Sequence, residues 1–508
     1  MYLRAGVFSL ALLMASRLLG LLRESVQAAA FGASGLGDAV IVMFTLPDLL
    51  VGILFSGALA YVLLPAWALQ TPVQQAASQK KVAQLLLAMG LALGLVIWLL
   101  REQLVHALAP GLQGSLRELG AQSLAWSAAV LPLALLASLW VTRLQHERDF
   151  VGMYAGSLVV NLLLVCALLF APHERGGQAI VLVLGGFLAL AMLGRLAWLA
   201  WRLRRAARLQ PGEAPARVGR AEPTPAPLVA LPGLKVWLWA ALSSGLLLVL
   251  PLMARSLASQ GGEGALASFN YAWKLVELPL VLAIQLVASL AFPAITRTAA
   301  GSPEREKALQ IAFILAWALA CAAIAAVASF SLPLAGLLFG WGRMTPDGLQ
   351  AIAHWSAIGI WSLLPQALMA VLMTAMATSG RMHVAVWAYA AGIAALALGA
   401  WLGLGQGDGA SVMWMLNATL ASIAVVTLAV EGRRLGRALP WAAMLAPLAV
   451  AMLLCAIGHH AAVQSVPWAL AGCVVFGLLV VAAATVASPL LRGLLSARLA
   501  RRRSASGQ

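Results

Sequence analysis

From Ala5 to Ala15 the chain carries no charge, and apolar stretches of this kind keep returning along its length. A helix needs about 20 mostly apolar residues to cross the hydrocarbon core. Windows meeting that requirement fall near residues 5–27, 38–66, 82–100, 121–142, 151–171, 178–201 and 234–255. They continue near 265–293, 308–330, 348–378, 384–404, 411–430, 438–458 and 466–490. The runs are rich in Leu, Ala and Val and do not alternate, so they predict helices rather than barrel strands. Only 10% of the 508 residues are charged, against about 25% in a soluble domain. The fold class expected is therefore an all-α polytopic membrane protein with about fourteen transmembrane helices.

The loops test that count. With residue 1 on the cytoplasmic side and the spans alternating, 24 of the 33 Lys and Arg fall in inner loops and tails. Four fall in outer loops (Arg101, Arg117, Arg175, Arg343) and five inside spans (Arg17, Arg23, Arg195, Arg255, Lys274). Such a bias is the positive-inside pattern, and it places both termini in the cytoplasm. It also explains the net charge of +16 without nucleic acid. The early apolar segment reads as a first helix rather than a cleaved signal peptide, because two arginines interrupt it and further spans follow at once.

Residues 205–232 differ from their surroundings, with six prolines, several arginines and no long apolar run. They read as a flexible cytoplasmic linker. The stretches on either side look related. A shift of 232 residues lays Arg23 on Arg255, Gly32 on Gly264, and Leu46-Pro47 on Leu278-Pro279. This suggests two parallel six-helix repeats, because an even number of spans returns the chain to the same side. The expected organisation is an N-lobe (1–204), the linker (205–232), a C-lobe (233–431), two extra helices (432–492) and a basic tail (493–508).

A charge at bilayer depth is expensive and must find water or a partner. The first two helices of each repeat carry an unusual set. Helix 1 holds Arg17, Arg23 and Glu24; helix 2 holds Asp38 and Asp48; helix 7 ends with Arg255; helix 8 holds Lys274 and Glu277. Arg17 and Glu24 share a helix face across Gly20, and Lys274 and Glu277 are neighbours at i,i+3. Two lobes facing each other would bring these helices to a shared central cavity. Arginines there supply planar donors suited to a diphosphate. The site reading assigns Arg17, Arg23, Arg255 and Lys274 to an anionic head group, and Glu24, Asp38, Asp48 and Glu277 to gating or ion coupling. Pro47, Gly52, Gly57 and Pro279 would let the gating helices bend. The competing reading makes Arg17–Glu24 or Arg23–Asp38 ion pairs that lock helices together. No histidine or cysteine shows metal-ligand spacing, no phosphate-binding loop is present, and no cofactor is expected. The longest outer loops carry Glu102, His106, Arg117, Glu118, Arg343 and Asp347 in no recognisable catalytic arrangement.

These residues resemble a known family. Ser16-Arg17, Gly20, Arg23-Glu24, Phe31-Gly32-Ala33, Asp38-Ala39, Leu46-Pro47 and Pro65 are similar to the N-terminal signature of the MurJ/MviN family. "YAWKLVELP" at 271–279 is similar to its helix-8 motif. These are lipid II flippases of the multidrug/oligosaccharidyl-lipid/polysaccharide exporter superfamily. The resemblance implies flipping of an undecaprenyl-diphosphate-linked disaccharide-pentapeptide across the bacterial cytoplasmic membrane for peptidoglycan synthesis. It implies cavity charges at Arg17, Arg23, Asp38, Lys274 and Glu277, and a groove for the lipid tail at about 438–490. Its partners would be the lipid-linked glycan and membrane lipids, with a monovalent cation or the membrane potential as the coupling candidate. The chain departs from the family at Leu46-Pro47-Asp48, which has an extra acid and no following arginine, and at Lys274, where the family has arginine. A flippase for another polyprenyl-diphosphate-linked glycan is the alternative; a drug/cation antiporter is a more distant one.

Overall fold

In the computed structural model the described residues are 2–53, 58–171, 176–209, 233–296, 298, 302–405, 408–435, 439–461, 465–493 and 496. The linker from 210 to 232, Gly57 and the tail from 497 lie outside them. Among the described residues all regular structure is helical. Among the described residues thirteen helices are long and apolar enough to cross a membrane. The helix α1 (Tyr2–Phe31) joins them as the fourteenth long helix, with Arg17, Arg23 and Glu24 along it.

The chain forms two compact units, Met1–Ala267 and Ser268–Gln508. The first contains α1, α2 (Gly35–Ile53), α3 (Leu59–Ala68), α4 (Pro72–Leu99), α5 (Arg101–Leu108), α6 (Gly114–His146), α7 (Phe150–Leu169), α8 (Gly177–Leu209) and α9 (Leu234–Ala258), and the start of α10 (Ala265–Pro279). Helix α6 is its axis, packed against α2, α4 and α8, while α7 lies between α1 and α8. Glycine brings α4 and α6 together: a Cβ on Gly90 would lie 2.6 Å from Pro132 Cα, and one on Gly94 2.7 Å from the Ala128 oxygen. This G-x-x-x-G spacing permits backbone approach where lipid supplies no hydrophobic drive.

The second unit holds α11 (Gln285–Thr296), α12 (Pro303–Phe339), α13 (Pro346–Gly359), α14 (Leu363–Thr378), α15 (Met382–Trp401), α16 (Gly409–Leu435), α17 (Trp441–Ala461) and α18 (Val466–Ala487). Here α12 is the axis, and the two extra helices α17 and α18 pack on it through Cys321, Ala325, Ala451, Leu454 and Val480.

The repeat is visible in the element boundaries. Gly114–His146 returns as the α13–α14 stretch Pro346–Thr378, Phe150–Leu169 as Met382–Trp401, and the start of α8 at Gly177 as the start of α16 at Gly409. Each is displaced by 232 residues. The helix break at Leu100 (φ −98°, ψ 17°) has its counterpart near Phe330 (φ −124°, ψ 29°), just before Pro333. Backbone sign is repeated as well. Gly32 (φ 64°) matches Gly264 (φ 80°), and Arg148 (φ 58°) matches Gly380 (φ 69°).

Arg148 is the non-glycine residue in that left-handed set. A side chain there costs about 1 kcal/mol relative to glycine. Arg148→Gly is therefore expected to raise the melting temperature of the purified protein, offset in part by the added freedom of the unfolded chain. A lower melting temperature would show that the Arg148 side chain makes an interaction worth more than the strain.

Candidate functional site

Helix α1 carries the first charges. Arg17 sits about half-way along it, exposed, and makes no hydrogen bond or ion pair among the described residues. An exposed cation at that depth has to meet water rather than lipid. Arg23 is mostly buried. Its Nη2 donates to Glu24 Oε1 at 2.7 Å, and its guanidinium lies 5.3 Å from the Phe44 ring centre on α2. Adjacent residues on a helix point apart, so this pair forms only because the long arginine side chain curls back. The Arg23–Glu24 pair therefore sits against α2 and leaves one face of the guanidinium on an aromatic ring.

Asp38 lies in the first turn of α2 and is 2% exposed. Its partners are backbone amides: Oδ2 accepts from Gly264 N at 2.8 Å and Oδ1 from Ala267 N at 2.7 Å. Both amides belong to the start of α10, where helix N–H groups have no intrahelical acceptor. The carboxylate thus caps a neighbouring helix, at the end where the helix dipole favours negative charge. Backbone proximity makes this possible: a Cβ on Gly264 would lie 2.3 Å from the Ala33 oxygen, and one on Gly37 3.6 Å from Ala267. Of the competing ion pairs, Arg23–Asp38 is not formed: the Asp38 carboxylate is spent on two main-chain donors.

Asp48 follows the buried Pro47 on α2 and is exposed. Helix α2 continues through Pro47 without a break. Gly52 sits where a Cβ would come within 2.9 Å of Leu248 on α9, so its small size serves close packing. The Asp48 carboxylate acts electrostatically on Arg195, a span charge that nothing in the sequence joined to the others. Arg195 is 8% exposed on α8, packed against Gly156 of α7, with its Nε lacking a hydrogen-bond partner. The sequence signal for it was a lone arginine inside an apolar span.

Arg255, in the last turn of α9, is half-buried, and its Nε has no partner among the described residues. In the second unit Lys274 Nζ donates to Glu277 Oε2 at 2.8 Å, as the i,i+3 spacing requires. Beneath them Tyr271 is fully buried and stacks on Phe339, ring centres 5.1 Å apart. Pro279 closes α10, and the next turn, Leu280–Ile284, is π-helical. Such turns often mark functional sites and places where helices bend. Among the described residues no group of three His, Cys, Asp or Glu side chains could hold a metal ion.

The arrangement thus has two kinds of charge. Arg23–Glu24 and Lys274–Glu277 are paired within one helix, and Asp38 is committed to the start of another. Arg17 and Arg255 have no carboxylate on them among the described residues, which leaves their donors for a ligand.

Known proteins resemble this chain over most of its length. A family model described as "Lipid II flippase MurJ" matches residues 27–482. A probable lipid II flippase MurJ from Rhizobium meliloti (strain 1021) is 26% identical over 369 residues, 68% of this chain; the match spans 64% of that relative's length. Among solved structures, a lipid II flippase MurJ in an inward closed conformation aligns with TM-score 0.76 and 13% identity, covering 96% of this chain and all of that one. An inward-facing MATE-family multidrug transporter of the MOP superfamily aligns with TM-score 0.64 and 13% identity, covering 84% of this chain and 98% of its own. The two structural likenesses carry the fold, and the family model spans most of the sequence. This multi-pass membrane protein belongs to the MurJ family, a family of transporters and not of enzymes.

Proposed function

We propose that this chain flips lipid II, the undecaprenyl-diphosphate-linked peptidoglycan precursor, across the bacterial cytoplasmic membrane by alternating access. The observation that carries the reading is the pair of arginines, Arg17 and Arg255, on membrane-spanning helices with no carboxylate partner among the described residues. A cation at that depth without a protein counter-ion calls for an anionic ligand. Arg17, Arg23, Arg255 and Lys274 hold the diphosphate. Glu24, Asp38, Asp48 and Glu277 take part in gating or in coupling to a monovalent cation or the membrane potential. Bending falls at Pro279, where the π-helical turn Leu280–Ile284 follows. Both termini lie in the cytoplasm, as the loop charges imply.

The lipid tail lies against the second unit, near the extra helices. The groove for it is formed by α17 and α18, about 438–490; a neighbouring apolar hollow of about 450 Å³ is walled by Trp317, Trp361, Leu364, Trp414 and Val425 of other helices. A second hollow shares Val425 and Leu428 with it and reaches Leu439 and Trp441 at the start of α17.

One sequence observation favours a second reading, a flippase for another polyprenyl-diphosphate-linked glycan. Asp48 stands where the family places a neutral residue followed by arginines, and Lys274 cannot offer a bidentate fork. The two readings separate in a strain whose resident lipid II flippase is depleted while this chain is supplied. Growth with normal wall synthesis supports lipid II. Lysis despite normal membrane levels of the chain rejects it and favours the other glycan.

A further inference from the structure

Pro47 removes one backbone donor from the middle of α2. A helical residue donates to the carbonyl four places back, so the acceptor left over is Met43 O. Met43 is buried, and lipid offers no replacement donor. Ser127 of α6 supplies one: its Oγ donates to Met43 O. The serine is fully buried, and the acceptor one turn back in its own helix, Ser123 O, is 3.3 Å away. A proline inside a helix ordinarily kinks it. With the Ser127 hydroxyl in place, α2 runs unbroken from Gly35 to Ile53, Pro47 included.

The second repeat has the proline without the hydroxyl. The 232-residue shift lays Pro47 on Pro279, Met43 on Leu275 and Ser127 on Gly359. The packing keeps that register. A Cβ on Gly359 would lie 3.2 Å from Cγ2 of Val276, next to Leu275 on α10, and 3.0 Å from Met413 Sδ. Gly359 therefore presses on α10 where Ser127 presses on α2, and it has no side chain to offer. Both helices lose regularity there. The α-helix α10 ends at Pro279 in the π-helical turn Leu280–Ile284, and α13 ends at Gly359 in the 3₁₀ turn Ile360–Ser362. In the first unit α6 passes Ser127 as one helix.

We infer that Ser127 is a positioning residue whose hydroxyl splints α2 across Pro47, and that the missing hydroxyl at Gly359 confines bending to the second repeat. The splint fixes the spacing of the acids on α2. Asp38 and Asp48 stand on either side of the bonded turn, and a straight helix holds them about 15 Å apart along its axis. Asp38 is anchored to backbone amides, so a kink at Pro47 would swing Asp48 out of its place. Helix α2 acts as a strut and α10 as a hinge. The hinge role rests on the alternating-access reading; the splint rests on hydrogen bonding alone.

The test removes the hydroxyl with and without the proline, in the purified full-length chain, and reads hydrogen–deuterium exchange over residues 43–53. Ser127→Ala is expected to speed exchange there by about tenfold, because a buried acceptor is left unpaired. In a Pro47→Ala background the same substitution is expected to change exchange by about twofold at most, since residue 47 then donates its own N–H to Met43 O. Equal acceleration in both backgrounds would make Ser127 a packing residue and overturn the inference. In the second unit Gly359→Ser adds a hydroxyl, and Gly359→Ala brings the same crowding without one. Exchange over residues 275–285 is expected to be slower in Gly359→Ser by about threefold or more. Equal exchange would overturn the claim that this hydroxyl separates the two repeats. No lipid enters these measurements, so they stand apart from failure of the parent chain to replace a lipid II flippase. In a strain that the parent does complement, Gly359→Ser is expected to grow more slowly than Gly359→Ala, and equal growth would overturn the hinge role of α10.

Discussion

Asp38→Ala will abolish transport while leaving the protein in the membrane. The carboxylate holds two amides at the start of α10, at 2.8 and 2.7 Å, in a place that is 2% exposed. Alanine leaves both donors without an acceptor and out of reach of bulk water. Each buried unsatisfied group costs about 1–3 kcal/mol. The structure can avoid that cost by letting the start of α10 move away and hydrate, so the tie from α2 to α10 opens. Asp38→Asn is expected to be intermediate, because its amide oxygen can accept one N–H while its NH₂ faces the other donor. Hydrogen–deuterium exchange over residues 264–267 reads the change directly. Fast exchange in Asp38→Ala, slower exchange in Asp38→Asn and slowest in the parent is the predicted order. Unchanged exchange in Asp38→Ala would mean that the carboxylate does not hold these amides.

The second effect concerns Asp48 and Arg195, and it is asymmetric. Arg195 is 8% exposed whereas Asp48 is exposed, so losing the acid strands a buried cation while losing the arginine leaves a hydrated carboxylate. Asp48 is exposed, so its field on Arg195 is that of a solvated partner and contributes about 1 kcal/mol or less. Asp48→Asn should therefore lower the melting temperature by a few degrees at most, and Arg195→Gln by less. The double variant should recover most of the parental stability, because no charge is then left uncompensated. Melting temperatures of the three variants form a double-mutant cycle. Additive losses would show that the two residues act separately and that Arg195 finds its compensation elsewhere.

Much of the fold was legible because the bilayer imposes a length. Fourteen apolar windows correspond to thirteen span-like helices and α1, with loop charges marking the ends. The repeat was legible through residues that backbone geometry demands. Gly32 and Gly264, aligned by the shift, both have positive φ. Spacing also gave the Lys274–Glu277 bond, since a helix fixes i,i+3 neighbours.

What sequence could not give were partners that leave no side-chain signature. Asp38 bonds main-chain amides, which any residue would supply, so a search for its counter-charge pointed to Arg23. Arg195 lies well over a hundred residues from Asp48, and no periodicity links α2 to α8. Gly52 illustrates the reverse problem. From sequence it reads as a bend, yet it admits a neighbouring helix, Leu248 of α9 lying 2.9 Å from where its Cβ would be.

The central claim is that uncompensated cations in the membrane-spanning helices grip a diphosphate. The direct measurement is binding of an undecaprenyl-diphosphate lipid, and of its monophosphate counterpart, to the purified protein and to Arg17→Ala and Arg255→Ala. A charge-assisted hydrogen bond contributes about 1.5–3 kcal/mol, so removing one arginine from the diphosphate should weaken binding by about tenfold or more. The parent is expected to prefer the diphosphate, and both variants to lose that preference while keeping their fold. Equal binding of the two lipids by the parent, or undiminished diphosphate binding by both variants, would contradict it.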